Sequence, residues 1–116
     1  MKSGRTYHDY LADILDAVEK AEGFIRAMTV EQFKADDKTI FAVIRALEII
    51  GEAAKRIPED IRQKYPAIPW QEMAGMRDKL THDYFGVNIE VVWKTTVEDL
   101  PDLNSAISQM LKTESN

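Results

Sequence analysis

The sequence predicts an all-α protein, an up-and-down bundle of four main helices with short extra helices. Three observations carry this expectation. Apolar residues recur at i, i+3/i+4 and i+7 through most of the chain, no stretch alternates with the two-residue period of a strand, and the four prolines fall where helices would stop, start or kink. At 116 residues the chain can bury one core without staples, so a single domain over 1–116 is expected, with 1–5 and 113–116 frayed.

The elements follow in order. From Thr6, the residues Tyr7, Leu11, Ile14, Leu15, Val18, Ile25 and Met28 trace one face of a helix of about 22 residues, opposite Asp9, Asp13, Asp16, Glu19, Lys20 and Glu22. Thr29 followed by Gln32 has capping-box spacing and opens a short helix that ends at Ala35–Asp37. Asp36 or Asp37 then caps a second long helix, Lys38 to about Ile57, which Pro58 stops. Its apolar residues run from Ile40 to Ile57 and leave only Arg45, Glu48, Glu52 and Lys55 as a polar stripe. An arc that wide predicts burial on two sides, by a subunit interface or by the chain itself. Mid-helix Gly51 points to a close helix neighbour.

Glu59 to Tyr65 reads as a short helix closed by Pro66, and Pro69 opens the next, Trp70 to about His82, with Trp70, Met73, Ala74, Met76 and Leu80 toward the core. Asn88 caps a last long helix through Val91, Val92, Val97 and Leu100. Pro101 marks a kink or restart, after which Leu103, Ile107, Met110 and Leu111 continue the pattern.

Composition narrows the function. With no cysteine there is neither a disulfide framework nor a thiolate zinc site, which suits a reducing cytoplasm. The apolar runs are too short to span a membrane, and the start lacks the apolar core of a signal peptide. A net charge of −5 argues against a general nucleic-acid coat protein. The basic residues Lys55, Arg56, Arg62, Lys64, Arg77 and Lys79 nevertheless outnumber Glu59, Asp60, Glu72 and Asp78 between them, making this the one basic neighbourhood of the chain. A solvated surface of mixed charge fits the same count.

That neighbourhood ends in Met76-Arg-Asp-Lys-Leu-Thr-His-Asp-Tyr-Phe-Gly86, which gathers a guanidinium, an imidazole and a phenol within eight residues. A histidine near its usual pKa of about 6.5 gives or takes a proton at neutral pH, and an arginine stays charged. The pair suits phosphodiester cleavage in RNA, with Arg77 stabilising phosphoryl charge and His82 as acid or base. Asp78, one turn before His82, is placed to hold the imidazole. In an unbroken helix Asp78 and His82 share a face, whereas Arg77 lies about 140° round from His82. Either a last turn loosened before the exit over 83–88, or a second copy of the motif, would bring the two to one substrate. A structural helix end, with a charged histidine favoured by the helix dipole, accounts for the same residues without chemistry. Asp78, His82 and Asp83 make no closed metal site, so no metal or other cofactor is expected. Tyr84 and Phe85 suit either base stacking or a core position.

The motif, with Leu47-Glu-Ile-Ile-Gly-Glu-Ala53 upstream, Ile68-Pro-Trp70 between, and Val92-Trp93 and Asp99-Leu-Pro101 downstream, closely resembles the HepT-like branch of the HEPN superfamily over about residues 6 to 105. The resemblance implies a homodimeric, all-α toxin of a toxin–antitoxin pair, with a small nucleotidyltransferase as antitoxin. It implies a metal-independent endoribonuclease whose cleft forms where two motif copies meet, with Arg77 and His82 in the catalytic positions and Asp78 supporting. Tyr84 matches the tyrosine that receives AMP units from the antitoxin. Some superfamily members are binding or regulatory modules, and a non-catalytic cleft that holds a nucleotide or partner is the alternative.

Overall fold

The structure is a computed structural model that describes residues 5–82 and 88–114, with the backbone alone described from 77 to 82. Among the described residues every regular element is helical. The order is α1 (Tyr7–Phe24), α2 (Val30–Lys34), α3 (Asp37–Lys55), α4 (Glu59–Lys64), α5 (Trp70–His82), α6 (Ile89–Lys94), a π-helical turn over Thr95–Asp99, and α7 (Leu100–Glu114). None of these helices is long and apolar enough to cross a membrane.

Helix α3 is the axis of the fold, packed on α1 on one side and α5 on the other, while α7 lies against α1. Val43, Ile44, Ala46, Leu47, Ile50 and Ala54 are all buried, and Gly51 is buried among them. The wide apolar arc is therefore covered largely by the chain's own helices. What stays at the surface of α3 is the expected stripe of Arg45, Glu48, Glu52 and Lys55, with Phe41 53% exposed at its start.

The caps agree with the sequence pattern residue by residue. The Thr29 hydroxyl accepts from the Gln32 amide at 3.1 Å while the Gln32 side chain accepts from the Thr29 amide at 2.9 Å, so two orphan donors of α2 satisfy each other's residues. Asp36 caps α3 by accepting from the Thr39 amide at 3.1 Å and its hydroxyl at 2.8 Å. These bonds stabilise the carboxylate and hold Asp36 below the usual carboxyl range. Asn88 accepts from the Glu90 and Val91 amides at the start of α6.

Two boundaries differ from expectation. α1 stops at Phe24 rather than continuing to Met28, because Ala27 adopts a left-handed backbone with φ 67°. The chain must turn there for Ile25 to enter the core and Thr29 to cap α2. The last long helix is not broken by Pro101 but widened ahead of it. Proline has no N–H for the carbonyl four residues back, and the amide of Leu100 reaches five residues back to Thr95. Within this wide turn the buried Thr96 hydroxyl donates to the Val92 carbonyl at 2.8 Å.

Phe33 joins the short helices to the core. It is fully buried and its ring lies 5.3 Å from that of Trp93. At the other end of the molecule, Glu114 on the last turn of α7 accepts from Tyr7 Oη at 2.9 Å, Tyr65 Oη at 2.5 Å and Lys64 Nζ at 2.9 Å. Its backbone carbonyl meets His8 Nε2 at 2.6 Å. One carboxylate thus ties the start of α1 and the end of α4 to the end of α7.

Phe33→Ala should destabilise the protein by about 3–5 kcal/mol, from lost apolar transfer and the cavity left behind. Urea unfolding measures it, and a loss below about 1 kcal/mol would mean that the α2 segment is not part of the cooperative core. Glu114 makes a second prediction. Its hydrogen bonds with Tyr65, Lys64 and Tyr7 lower its pKa from 4.5 to about 2. A depressed carboxyl pKa adds stability that is complete above the unfolded value and is lost as pH falls through the folded one. The stability difference between wild type and Glu114→Gln should stay constant from pH ~5 up to the range where the phenols ionise, and shrink as pH falls between about 4.5 and 2. A difference that does not change with pH would show that the clasp does not depend on the charge.

Candidate active site

The helix that carries the motif is anchored at its start. Ile68, Trp70 and Met73 are buried, Trp70 Nε1 donates to the Tyr65 carbonyl at 3.1 Å, and the Met73 amide donates to the Pro69 carbonyl at 3.0 Å. The pyrrolidine of Pro69 pre-sets the first turn and gives up only an N–H that would have no helical partner there. From this anchor α5 runs against α3 without interruption to His82.

Arg77, Asp78 and His82 therefore all lie on one continuous helix. Asp78 and His82 are one turn apart on the same face. Arg77 and His82 are separated by about 140° of rotation and about 7.5 Å of rise, with backbones roughly 9 Å apart by helix geometry. Up to His82 the backbone is helical. The exit expected after His82 and Tyr84 itself lie outside the described residues, which resume with Asn88 as the cap of α6.

The basic neighbourhood is thinner than its residue count. Lys64 is held by Glu114 at 2.9 Å, and Arg62 by Glu59 at 2.8 Å. His8, the only other histidine, is stacked on Tyr7 with ring centroids 4.3 Å apart and bonded to the end of α7, so its place is in the clasp.

Gly75 is exposed on α5, two residues before Arg77, and a Cβ built there would meet nothing within 4 Å. The helix backbone is therefore open there to an incoming group. Sequence reading also passed over a groove of about 500 Å³ between α5 and α7, floored by Leu47 and Ile50 of α3. The available signal was the i, i+3/i+4 spacing of its wall residues, Pro69 just before α5 with Glu72, Met73 and Met76 on it, and Thr95, Asp99, Asp102, Leu103 and Ala106 on the opposite side.

Comparison with known proteins shows which family the chain belongs to. A family model described as "Ribonuclease HepT-like" matches residues 14–110. A protein of Thermococcus cleftensis named as a probable ribonuclease HepT is 55% identical over 108 residues, covering 93% of this chain and 98% of that one. A protein of Methanocaldococcus jannaschii named as a candidate RNase is 45% identical over 103 residues, covering 89% of this chain and 85% of its own. Another so named, from Caldanaerobacter subterraneus, is 40% identical over 110 residues, covering 95% and 98%. No solved structure is a significant match. An all-α fold with an arginine and a histidine on one helix, matched over most of its length by this family, makes the chain a ribonuclease that belongs to the HepT-like family.

Proposed function

We propose that this ribonuclease is the toxin of a toxin–antitoxin pair, a one-domain chain that acts in the cytoplasm as a homodimer and cuts RNA where two copies of the Arg77-x4-His82 motif face each other. The observation that carries the reading is the continuity of α5 through His82. On one helix Arg77 and His82 diverge by about 140°, so a substrate that needs both is best served by Arg77 of one copy and His82 of the other. The open backbone at Gly75 supports close approach of a second chain along α5. The breadth of the apolar arc on α3 no longer supports it, since α1 and α5 cover most of that arc.

In this reading His82 takes the proton of the ribose 2′-OH as that oxygen attacks the adjacent phosphorus, and the P–O5′ bond breaks as the same proton, returned by the imidazolium directly or through water, goes to the 5′-oxygen. The products are a 2′,3′-cyclic phosphate and a 5′-hydroxyl. Arg77 donates charged hydrogen bonds to the phosphoryl oxygens, where negative charge builds in the transition state. Asp78, one turn before His82, orients the imidazole. The chemistry draws on no metal. Silencing follows from the antitoxin, a nucleotidyltransferase. The Tyr84 oxygen attacks the α-phosphorus of ATP, pyrophosphate leaves, and the AMP fills the substrate's phosphate position beside Arg77.

Purified protein should cleave single-stranded RNA in EDTA. Arg77→Ala and His82→Ala should each lower kcat/KM by about 10²-fold or more while remaining folded, and Asp78→Asn should lower it less. After subunit exchange, an equimolar mixture of the two inactive variants should regain part of the activity, because in each mixed dimer one of the two clefts pairs an intact arginine with an intact histidine. Undiminished cutting by His82→Ala, or a requirement for magnesium, would overturn the mechanism. A monomer mass in light scattering at micromolar concentration would overturn the composite cleft. For Tyr84, co-expression with the antitoxin should add AMP mass to the Tyr84 peptide, and an unmodified peptide in a fully inhibited complex would assign inhibition to steric masking.

A further inference from the structure

The groove between α5 and α7 carries an inference independent of the catalytic reading. Its apolar surface comes from Leu47 and Ile50 below, Met73 and Met76 on the α5 wall and Leu103 on the α7 wall. Three carboxylates line it, Glu72 on α5 and Asp99 and Asp102 opposite, with no cation among the described lining residues. None of the three makes an ion pair among the described residues, in a chain whose other surface acids often do. The wall over 95–106 is continuous because the π-helical turn carries Thr95 and Asp99 into register with Asp102, Leu103 and Ala106. It extends about 16 Å, or three turns of helix.

An apolar trough with acid on both rims is complementary to an amphipathic helix whose apolar side chains repeat at i, i+3/i+4 and whose flanks carry Lys or Arg. RNA would set its phosphates against three carboxylates. A second copy docking groove to groove about a twofold axis would bring the acidic rims together. We propose that this groove is the docking site for a basic amphipathic helix of a partner protein. Met76 on the α5 wall is adjacent in sequence to Arg77, so the docked helix lies beside the helix that carries the candidate active-site residues.

The test uses three fluorescein-labelled synthetic helical peptides of about four turns, with identical leucine positions and flanks of Lys, Gln or Glu, titrated against the full-length protein. The Lys-flanked peptide should bind about tenfold or more tighter than the Gln-flanked one, and the Glu-flanked one should not bind. The triple variant E72Q/D99N/D102N should weaken the Lys-flanked peptide by about tenfold or more. The variant E19Q/E31Q/D60N, of the same net charge, should leave it unchanged. Ala106→Trp, which fills the groove, should abolish binding with the light-scattering mass unchanged. Equal weakening by both triple variants would assign binding to net charge and overturn the site. So would equal binding of all three peptides, or displacement of the peptide by oligouridylate. A lower oligomer mass for a folded Ala106→Trp would reassign the groove to self-association. Should Ala106→Trp fail to fold, the two charge variants decide.

Discussion

The fold depends on the burial of α3 from two sides at once. Its branched aliphatic residues and Ala53, Ala54 and Gly51 leave no face wide enough for solvent except the stripe from Phe41 to Lys55. A helix so composed must be sandwiched, and α1 and α5 are the two elements that do it. Fully burying one side chain of the size of Val, Leu or Ile is worth about 1.5–3 kcal/mol, and this seam holds many of them. The orientation of α5, and hence of the backbone that carries the motif, is thereby set by this packing.

The ends of the bundle are held by different physics. Near α2 and α6 the tie is aromatic, Phe33 against Trp93, with the exposed Lys34–Glu90 pair at 2.7 Å adding little in solvent. At the other end the tie is polar, with two phenols and an ammonium converging on Glu114. The same hydrogen bonds that lower the pKa of Glu114 raise those of Tyr7 and Tyr65, because each phenol donates to a carboxylate and loses that bond on ionising. The clasp is therefore strongest where the carboxylate is charged and the phenols are neutral.

What was legible in the sequence was local. Thr29, Asp36 and Asn88 cap the helices their spacing predicted, because a cap is a contest among a few neighbouring groups. The extent of α1 was not legible, since the left-handed turn at Ala27 answers to where Ile25 must be buried, and no residue type there signals positive φ. Pro101 announced an interruption without saying which kind, and the wide turn is chosen by the packing of α7 on α1. Of the site, the residue types and their spacing on one helix were readable. The groove was not, because it is made by two helices that sequence reading treats separately.

The charge distribution limits how the active site can recognise RNA. A chain of net −5 repels a polyanion at long range, and the ion pairs of Arg62 and Lys64 draw down two of the cations that precede the motif. Little non-specific affinity is then available from phosphate contacts, which elsewhere dominate nucleic-acid binding and its salt dependence. Recognition must rest on a small number of short-range contacts at the cleavage point, of which Arg77 is the chief candidate. In the proposed dimer two such arginines lie near one twofold axis, which concentrates positive charge at the cleft without changing the charge of the surface. An enzyme so arranged binds long RNA weakly and spends its few charged contacts on the phosphate being cut, where they favour the transition state over the ground state.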